Sequence, residues 1–397
     1  MDCRNSVLEP SMTLRSSRMS VRALHVTNWY PNEDNPHEAT FVQEYVDALA
    51  AHDRHDVIHV QVRSNSGRFR IRYGRRSERE RFLLADVPWP ESRLVEWMTV
   101  LLLFIARLWV GRRWWDVVQV HIAYPLLCHR GIFRFLFGGQ LVLCEHWTAY
   151  RFGFHLPVNS AARHRMIRMF RPSIPIIAVS DALAADIQEF CAGVDLRIIR
   201  IPNVVRPDIF HCTGISARSR DPWTFLMVAH WGRVKLPFLV LEAFALLLPR
   251  YPRLRLRIVG QGLQSAEMKE FAATNNLDAH VAFLGALPKS EIAAEMRRSS
   301  ALLHPSAYET FSVVCAEALC CGTPVIASNV GAVPEVVGTD GILVENTVAA
   351  WRKAIDDFIR EPMRFNRPEV SHRALQKFSP EAVAASAFAV LADAKAS

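Results

Sequence analysis

The sequence predicts two doubly wound α/β domains, and three observations lead to this prediction. Short apolar runs alternate with helical patterns along the whole chain of 397 residues. Many of the runs are continuous Val, Ile and Leu, which is typical of parallel strands covered by helices on both faces. Two such series follow one another, so we expect two sheet-based domains that face each other across a cleft.

The predicted strands fall into two groups of six. Those of the first half are 23–27, 57–62, 117–121, 141–144, 176–179 and 198–201. Those of the second half are 224–228, 254–259, 281–284, 301–304, 324–327 and 342–344. Between the groups, residues 206–222 contain Pro, Gly and Ser and lack periodicity, as a linker does. We therefore divide the chain into a disordered lead (1–20), a first domain (21–205), the linker (206–222), a second domain (223–376) and a C-terminal helix (377–397).

The composition excludes several classes of protein. Half of the residues are hydrophobic and 22% are charged, which excludes a disordered chain, and 17 Gly and 22 Pro are too few for a collagen-like one. The eight cysteines show neither CxxC pairs nor zinc-ligand spacing, so we expect reduced thiols in a cytoplasmic protein and no metal. The first twenty residues lack the apolar core of a signal peptide.

Two segments of the first half raise the possibility of contact with an anionic surface. Residues 97–110 form the longest apolar stretch, but it is too short to span a bilayer and contains Arg107. We interpret it as a mostly buried helix or, alternatively, as a helix that touches the membrane surface. Upstream lies a basic segment with eight arginines: Arg63, Arg68, Arg70, Arg72, Arg75, Arg76, Arg79 and Arg81. This segment is either a solvated loop or a patch for anionic lipid or an anionic acceptor, and it lacks the aromatic-interleaved motif of nucleic-acid binding.

The most informative part of the sequence runs from His304 to Pro324. A buried strand ends near its start, a loop follows, and a helix begins at about Ser312 and stops before Gly322. Glu309 lies in the loop at the exit of the strand. Because ligands of such sheets bind beyond the carboxyl ends of strands, this carboxylate can face the cleft.

Glu317 lies on the second turn of the same helix, within the apolar sequence Val-Val-Cys-Ala-Glu-Ala-Leu. An unpaired carboxylate there would cost several kcal/mol, so it needs a partner. That partner is either a structural ion pair or the two hydroxyls of a ribose. The helix N-terminus around Phe311 and Ser312 offers free N–H groups and the positive end of a dipole, which suits a diphosphate.

This segment resembles the glutamate-x7-glutamate element of the GT4 family of retaining glycosyltransferases, which have the two-domain GT-B fold. Elements on either side are similar to the family in order and spacing. In the second domain they include Val281-Ala-Phe-Leu-Gly285 and Pro324-Val-Ile-Ala-Ser-Asn-Val-Gly331-Ala-Val-Pro-Glu335. The resemblance covers about residues 23–345. It implies the GT-B fold, in which the C-terminal helix packs back on the first domain.

The resemblance implies a role for each charged residue of the second domain. Glu317 binds the ribose, Glu309 binds hydroxyls of the donor sugar, and Lys235 neutralises the leaving diphosphate. The family has an Arg five residues before this Lys, and here that position is His230. Either His230 or the nearby Arg233 then supplies the second positive charge.

The resemblance also places backbone and small residues at the donor. Thr310, Phe311 and Ser312 lie at the helix N-terminus that meets the diphosphate, and the backbone after Gly285 meets the base. Ser312 stands where the family commonly has glycine, which we expect to be tolerated. No enzyme nucleophile is assigned, so the acceptor is expected to attack from the side of the leaving group.

In the first domain the resemblance singles out two histidines. His146 follows a predicted strand and matches the family's histidine near the transferred sugar; the alternative is a packing histidine. His121 and Tyr124 follow the preceding strand and are expected to contact the acceptor. Ala39 and Thr40 replace glycines of a loop that lies near the phosphates in the family, which weakens the expectation of phosphate contact there.

A GxG sequence at Gly260 and Gly262 does not form a dinucleotide-binding fingerprint. It lacks the third glycine, and no acidic residue ends a strand at the required distance. An oxidoreductase with a nicotinamide cofactor is therefore disfavoured.

We thus expect a retaining, metal-independent glycosyltransferase whose donor is a nucleotide-diphosphate sugar and which needs no cofactor. The expected acceptor is a glycan or a lipid-linked molecule of cell-envelope or exopolysaccharide biosynthesis. The expected location is the cytoplasm, with peripheral contact to anionic lipid at the inner membrane face and no nucleic acid as partner. The alternatives are a GT-B phosphorylase, a nucleotide-sugar epimerase and a non-catalytic sugar-nucleotide-binding protein.

Overall fold

The computed structural model describes residues 20–36, 38–64, 67, 69–88, 93–111, 113–171, 174–213, 223–361 and 365–396. Three of the sequence predictions fall outside the described residues. These are the lead at 1–19, Arg68 of the basic segment, and residues 214–222 of the linker.

The first domain is built on an eight-stranded sheet. Its strands are β1 (Ala23–Thr27), β2 (His55–Ser64), β3 (Arg70–Arg75), β4 (Glu80–Val87), β5 (Val117–His121), β6 (Gln140–Glu145), β7 (Pro175–Ala178) and β8 (Arg197–Arg200). Its helices are α1 (Thr40–Ala50), α2 (Arg93–Val110), α3 (Arg130–Phe137), α4 (Ala161–Arg168) and α5 (Asp181–Phe190). The spatial order is β3-β4-β2-β1-β5-β6-β7-β8, and only the pair β3–β4 is antiparallel.

The second domain is built on a six-stranded parallel sheet. Its strands are β9 (Thr224–Val228), β10 (Arg255–Val259), β11 (Val281–Gly285), β12 (Ala301–His304), β13 (Val325–Ser328) and β14 (Gly341–Val344). Its helices are α6 (Pro237–Leu247), α7 (Ser265–Thr274), α8 (Lys289–Arg298), α9 (Val313–Cys320), α10 (Val333–Val337), α11 (Val348–Arg360) and α12 (Arg367–Phe378). The order β11-β10-β9-β12-β13-β14 places β9 and β12 at the centre, so the loops that follow them are neighbours.

The chain ends in helix α13 (Pro380–Ala396), which packs against the first domain. Its buried face includes Ala387 and Leu391, in one apolar cluster with Val42 and Leu49 of α1. The prediction that this helix begins at residue 377 is wrong. Phe378 ends α12, where its ring contacts Phe311, and Pro380 starts α13 in the first turn, where a missing N–H is tolerated.

The doubly wound architecture predicted from the sequence is confirmed, and all twelve predicted runs are strands. The interpretation of the basic segment as a solvated loop is wrong, because most of it forms the β3–β4 hairpin at the edge of the first sheet. Two of its arginines are neutralised locally: Arg63 and Arg72 both form ion pairs with Asp34 and Asp86.

Candidate functional site

The two domains touch at the loop between β12 and α9. The Thr310 hydroxyl donates to the backbone carbonyl of His146 at 3.0 Å, and the Ser180 hydroxyl donates to the Thr310 carbonyl at 2.7 Å. On the same loop, the Tyr308 hydroxyl bonds to Asp186 of α5. The predicted donor loop of the second domain therefore lies directly against the ends of β6 and β7 in the first.

A second contact between the domains lies beside this loop. The carboxylate of Glu335, in the first turn of α10, accepts hydrogen bonds from the backbone N–H groups of Asp181 and Ala182 at 2.7 and 2.8 Å. These N–H groups begin α5 of the first domain, so a second-domain side chain caps a first-domain helix. The cleft in this structure is held closed by hydrogen bonds on both sides of Thr310.

Lys235 and Glu309 form an ion pair at the centre of the site. Both side chains are about 15% exposed, and Nε2 of His304 lies 2.9 Å from the same Glu309 oxygen. Burial alone would raise the pKa of Glu309, but Lys235 and His304 outweigh it and hold that pKa well below its usual range. The carboxylate is therefore ionised and Lys235 provides a compensated positive charge at the mouth of the loop.

The backbone at Glu309 is fixed by the loop that follows β13. The N–H of Ala332 donates to the Glu309 carbonyl at 3.0 Å, and Gly331 approaches the same carbonyl so closely that a Cβ there would lie 2.2 Å away. Gly331 also has a φ of +48°, which favours glycine. This sequence position therefore requires glycine in order to orient the carboxylate.

Two non-glycine residues adopt glycine-like backbone conformations at the cleft. Ser312, before the first residue of α9, has a φ of +73°, and Ala39, before α1, has a φ of +46°. Left-handed conformations cost a residue with a Cβ roughly 1–2 kcal/mol. The positions at which the resemblance implies glycine thus keep the conformation of glycine, with the serine or alanine under strain. Thr40 begins α1, and Phe311 is buried behind the loop.

Glu317 has a partner that the sequence did not reveal. Its carboxylate lies 3.8 Å from the Lys289 ammonium at the start of α8, and Lys289 in turn bonds to Glu44 of α1 at 2.5 Å. Burial, with a smaller contribution from Glu44, raises the pKa of Glu317 to about 7, while Lys289 acts to lower it. The chain of charges Glu317–Lys289–Glu44 crosses from one domain to the other.

The two candidates for the second positive charge do not join this cluster. His230 and Arg233 are both exposed on the loop between β9 and α6, whereas Lys235 is turned inward. Of the three positively charged candidates on that loop, the structure therefore brings only Lys235 into contact with Glu309.

Gly260 and Gly262 are explained by packing of two loops of the second domain. A Cβ on Gly260 would lie 1.8 Å from the carbonyl oxygen of Ala229, and one on Gly262 would lie 2.4 Å from that of Trp231. The glycines let the loop after β10 pass over the loop after β9. A role in binding a dinucleotide is not needed to account for them.

Gly285 ends β11 with a φ of +70° beside a small cavity of about 60 Å³. The cavity is also lined by Phe283 and Lys269. Ligand pockets are typically about 300–1,000 Å³, so a base at this position requires the cavity to open. The predicted contact of the base with the backbone after Gly285 stays a prediction.

His146 is buried at the end of β6, next to the contact with Thr310. Burial lowers its pKa to about 3, opposed by a hydrogen bond with Asn203, so the imidazole is neutral near pH 7. Its ring packs on Phe41 of α1 at 4.7 Å between centroids. His146 therefore lies at the junction of the two domains. This position is compatible with both predicted roles, a contact with the transferred sugar and a packing histidine.

His121 does not face the cleft, and the prediction that it contacts the acceptor is wrong for the side chain as placed. It is fully buried at the end of β5 in a row of three histidines on adjacent strands. His25 lies 3.0 Å from His121 and 2.8 Å from His55, nitrogen to nitrogen. Burial lowers the pKa of His25 and His121, so this row is neutral.

The sequence analysis missed His25 and His55, because single histidines in apolar strands give no signal of pairing. Tyr124 is half-buried after β5, and its carbonyl accepts a hydrogen bond from Asn28. Its ring packs near Trp147 and Phe154, at 6.5 Å between centroids in each case, and the predicted contact with the acceptor stays a prediction.

Among the described residues, one group has the ligand types of a metal site: His121, Cys144 and His146, whose ligand atoms lie within 4.8 Å of one another. Burial raises the pKa of Cys144 well above its usual value, so the sulfur is a neutral thiol. Metals bind the thiolate, and loading this site would require the thiol to lose its proton. We therefore derive no chemistry through a metal here.

A broad apolar surface lies on the outside of the first domain. Helix α2 buries Glu96 and Thr99 and exposes large apolar side chains, which are Leu94, Trp97, Leu101, Phe104, Ile105 and Leu108. We call this set the α2 face. In the part of the chain that the structure describes, no helix is both long and apolar enough to cross a membrane. The helix is apolar on both sides, since Leu102, Leu103 and Ala106 are buried in the core of the first domain. The structure therefore does not decide between the two interpretations of 97–110.

The second domain matches a known family of proteins. Residues 214–375 fit the family described as glycosyl transferases group 1. The matched residues make up less than half of the chain and lie almost entirely in its second domain. The match confirms the family resemblance inferred from the glutamate-x7-glutamate segment.

Curated relatives carry glycosyltransferase names. A phosphatidylinositol N-acetylglucosaminyltransferase subunit from Arabidopsis thaliana is 25% identical over 245 residues, or 60% of this chain and 54% of that protein. The D-inositol 3-phosphate glycosyltransferase of Pseudarthrobacter chlorophenolicus is 34% identical over 36% of each chain. That of Corynebacterium aurimucosum is 28% identical over 72% of this chain and 68% of its own. The chain thus spans about half or less of the length of the first two relatives.

Solved structures agree with the fold. Sucrose-phosphate synthase from Thermosynechococcus elongatus superposes with a TM-score of 0.70 at 19% identity, covering 92% of this chain and 96% of the other. The Anabaena protein HepE in complex with UDP gives a TM-score of 0.70 at 16% identity, covering 94% and 100%. The chain therefore has the GT-B fold predicted from the sequence.

Proposed function

We propose that this group 1 protein is a retaining, metal-independent glycosyltransferase that uses a nucleotide-diphosphate sugar. The observation that carries the proposal is the contact of Lys235 with Glu309 beside the N-terminus of α9, at a loop that touches His146 across the cleft. A cation and oriented N–H groups stabilise the negative charge that develops on a departing diphosphate. Here Lys235 and the first turn of α9 supply them.

In the proposed complex the ligand replaces contacts that the protein now makes with itself. The donor sugar's hydroxyls take the place of Lys235 at Glu309, which frees the ammonium for the diphosphate. The ribose hydroxyls donate to Glu317 in place of Lys289, and His146 contacts the sugar from the first domain. Thr310, Phe311 and Ser312 present the helix N-terminus. Either His230 or Arg233 adds a second positive charge when its loop closes on the diphosphate.

The donor is proposed to be a UDP-sugar, and the acceptor to carry a phosphate ester. The HepE structures were solved with UDP and with UDP-glucose, which supports the donor. The named relatives act on phosphatidylinositol and on D-inositol 3-phosphate, which supports a phosphate-bearing acceptor. We place the reaction in cell-envelope or exopolysaccharide biosynthesis, with a glycan or lipid-linked acceptor.

The proposed location is the inner membrane face, with the protein bound peripherally from the cytoplasm. The α2 face offers apolar side chains for insertion between lipids, and exposed Arg70, Arg75 and Arg79 of the neighbouring hairpin offer charge for anionic headgroups. A lipid-linked acceptor is most accessible to an enzyme held at that surface.

The proposal is tested by donor binding and by the anomer released. In a thermal-shift screen of UDP-, GDP- and ADP-glucose with EDTA present, we expect UDP-glucose to raise the melting temperature most, because a ligand of the folded state stabilises it. Slow hydrolysis of UDP-glucose, followed by NMR, should release α-glucose first. Binding that disappears with EDTA would overturn metal independence, and release of β-glucose would overturn retention.

UDP binding is expected to strengthen as the pH rises from about 6 to about 8. With a pKa of about 7, Glu317 is mostly protonated at the lower pH and ionised at the higher. Ribose hydroxyls donate more strongly to an ionised carboxylate, so the Kd should rise by up to about tenfold for each pH unit below 7. Isothermal titration calorimetry with UDP measures this profile.

The Glu317→Gln variant is the control, because it keeps the shape and cannot titrate. Ionisation of the diphosphate itself affects both proteins equally, so the ratio of their Kd values isolates Glu317. We expect this ratio to vary with pH in the direction given above. A ratio that is constant over the range would show that Glu317 does not bind the ribose.

A further inference from the structure

A large cavity opens on the first domain between the loop after β1 and the β3–β4 hairpin. Its volume is about 870 Å³, within the range of about 300–1,000 Å³ that is usual for ligand sites. Its lining includes Tyr30 from the loop, Phe82 from β4 and three arginines from the hairpin: Arg70, Arg75 and Arg76. None of the residues assigned to the donor lines it.

The net charge of the residues that line this cavity is positive. Among the described residues, no carboxylate lies within ion-pair distance of Arg70, Arg75 or Arg76, whereas Arg72, also in the lining, is paired with two aspartates. Glu33 is the single carboxylate in the lining. Arg76 also interacts electrostatically with Glu80, which lies behind Tyr30 and accepts a hydrogen bond from its hydroxyl. Three arginines without an ion-pair partner among the described residues still outnumber these two carboxylates, which favours an anionic ligand.

Aromatic rings hold two of these guanidinium groups in place. Arg76 lies 5.4 Å from the ring centroid of Tyr30 and 5.2 Å from that of Phe82, and Arg75 lies 6.0 Å from that of Trp109 on α2. Stacked arginines keep their N–H donors free at the ring edge. Such donors bind the oxygens of a phosphate in a bidentate manner.

Elements that line the cavity are connected both to the reaction site and to helix α2. The loop that contributes Tyr30 leads to Phe41, whose ring packs on His146. The hairpin strand that contributes the arginines also exposes Ile71 and Tyr73, and Tyr73 contacts Trp109 of α2 at 6.2 Å between centroids. A ligand in the cavity can therefore be apolar at one end and reach toward the sugar at the other.

We propose that this cavity binds the phosphate-bearing headgroup of a membrane lipid that serves as the acceptor. This inference rests on the proposed function and assigns its acceptor site. Arg70, Arg75 and Arg76 bind the lipid phosphate, and the acyl chains leave past Ile71 and Tyr73 toward the bilayer under α2. The hydroxyl to be glycosylated extends along the loop 30–36 toward His146.

Binding of soluble short-chain lipids to the whole chain tests this site without any donor. The probes are dihexanoyl phosphatidylglycerol, dihexanoyl phosphatidylcholine and glycerol 3-phosphate, each titrated calorimetrically below the micelle concentration. We expect phosphatidylglycerol to bind at least tenfold more tightly than either of the others. Equal binding of phosphatidylcholine would overturn recognition of the anion, and equal binding of glycerol 3-phosphate would overturn a lipid as the ligand.

The variant Arg75→Gln/Arg76→Gln is expected to weaken phosphatidylglycerol binding at least tenfold. Both residues are exposed, so the fold should be retained, and Arg70→Gln provides a second variant on the same wall. The control is Arg168→Gln/Arg352→Gln, which removes the same charge from exposed sites elsewhere and should bind as the parent does. Unchanged binding in the cavity variants would overturn the site.

The outcome separates this inference from the proposed function. Loss of lipid binding in the cavity variants, with UDP-glucose binding unchanged, supports the acceptor site by itself. If the parent protein binds UDP-glucose but not phosphatidylglycerol, the acceptor site is overturned and the transferase proposal stands. If it binds phosphatidylglycerol and no nucleotide sugar, the transferase proposal is overturned and the lipid site stands.

Discussion

A Lys235→Met variant is expected to lower kcat about 10²–10³-fold, the largest effect we expect from a single substitution. Lys235 is the one cation of its loop that the structure turns inward to Glu309. Removing one preorganised donor to a developing negative charge costs about that much in turnover. Since the departing diphosphate carries more charge in the transition state than in the bound donor, KM should change less than kcat.

The same variant should also lose stability, for a separate reason. Removing one partner of a buried ion pair leaves the other charge uncompensated, at a cost of about 3–5 kcal/mol. Without Lys235, the pKa of Glu309 should move upward, because burial raises it and His304 alone is left of the two groups that hold it down. The double variant Lys235→Met/Glu309→Gln has no buried charge left at this point, so it should recover most of the free energy of unfolding.

These two effects can be separated in one experiment. Urea unfolding gives the stability of the single and double variants, and steady-state turnover of the UDP-sugar gives their activity. We expect the double variant to be stable and still inactive, whereas Lys353→Met, at an exposed ion pair on α11, should match the parent in both. Wild-type turnover in either Lys235 variant would refute the role of this lysine in the leaving-group site.

The strands could be predicted because a strand buried on both faces has a mostly apolar sequence, whichever strands it pairs with. The bounds of β1, β5, β9 and β12 agree with the prediction residue for residue, and each is mostly apolar and lies at or near the centre of a sheet. Two sheets that bury such strands must be covered by helices, which fixed the class of fold. The local sequence was sufficient for these strands because their apolar composition can be read without knowing which residues they contact.

The β3–β4 hairpin could not be predicted in the same way. At the edge of a sheet a strand has one open side, so arginines alternate with Ile71 and Tyr73 and give the composition of a loop. Helix α2 was recognised from its sequence, but the direction in which each of its sides faces was not. Its polar positions Glu96 and Thr99 are buried, and an apolar pattern alone does not tell which side of a helix meets the protein.

At the site, residue types were predictable and pairings were not. Glu309, Glu317 and Lys235 were named from the family resemblance together with their places after strands. The pairing of Glu317 with Lys289 and of Lys289 with Glu44 depends on how the two domains close. No local pattern encodes a contact between residues 245 positions apart. The buried row of histidines was hidden for the same reason.

Replacing three apolar residues of the α2 face is expected to reduce binding to anionic vesicles about a hundredfold. The variant is Trp97→Ser/Phe104→Ser/Leu108→Ser, whose side chains are 47%, 48% and 67% exposed in the parent. Fully burying such a side chain contributes about 1.5–3 kcal/mol. Because each is already half-covered by protein, insertion should contribute about 1 kcal/mol apiece, or roughly 3 kcal/mol together.

Flotation with vesicles of phosphatidylglycerol and phosphatidylcholine measures this partition. The control Val158→Ser/Leu246→Ser/Leu263→Ser removes as many exposed apolar side chains from other surfaces, and it should float as the parent does. Raising the salt should weaken the arginine contribution, worth about 1 kcal/mol per residue near the surface, in the parent and the α2 variant alike. If the α2 variant floats with the parent while salt alone releases both, the surface is electrostatic, and insertion of α2 is refuted.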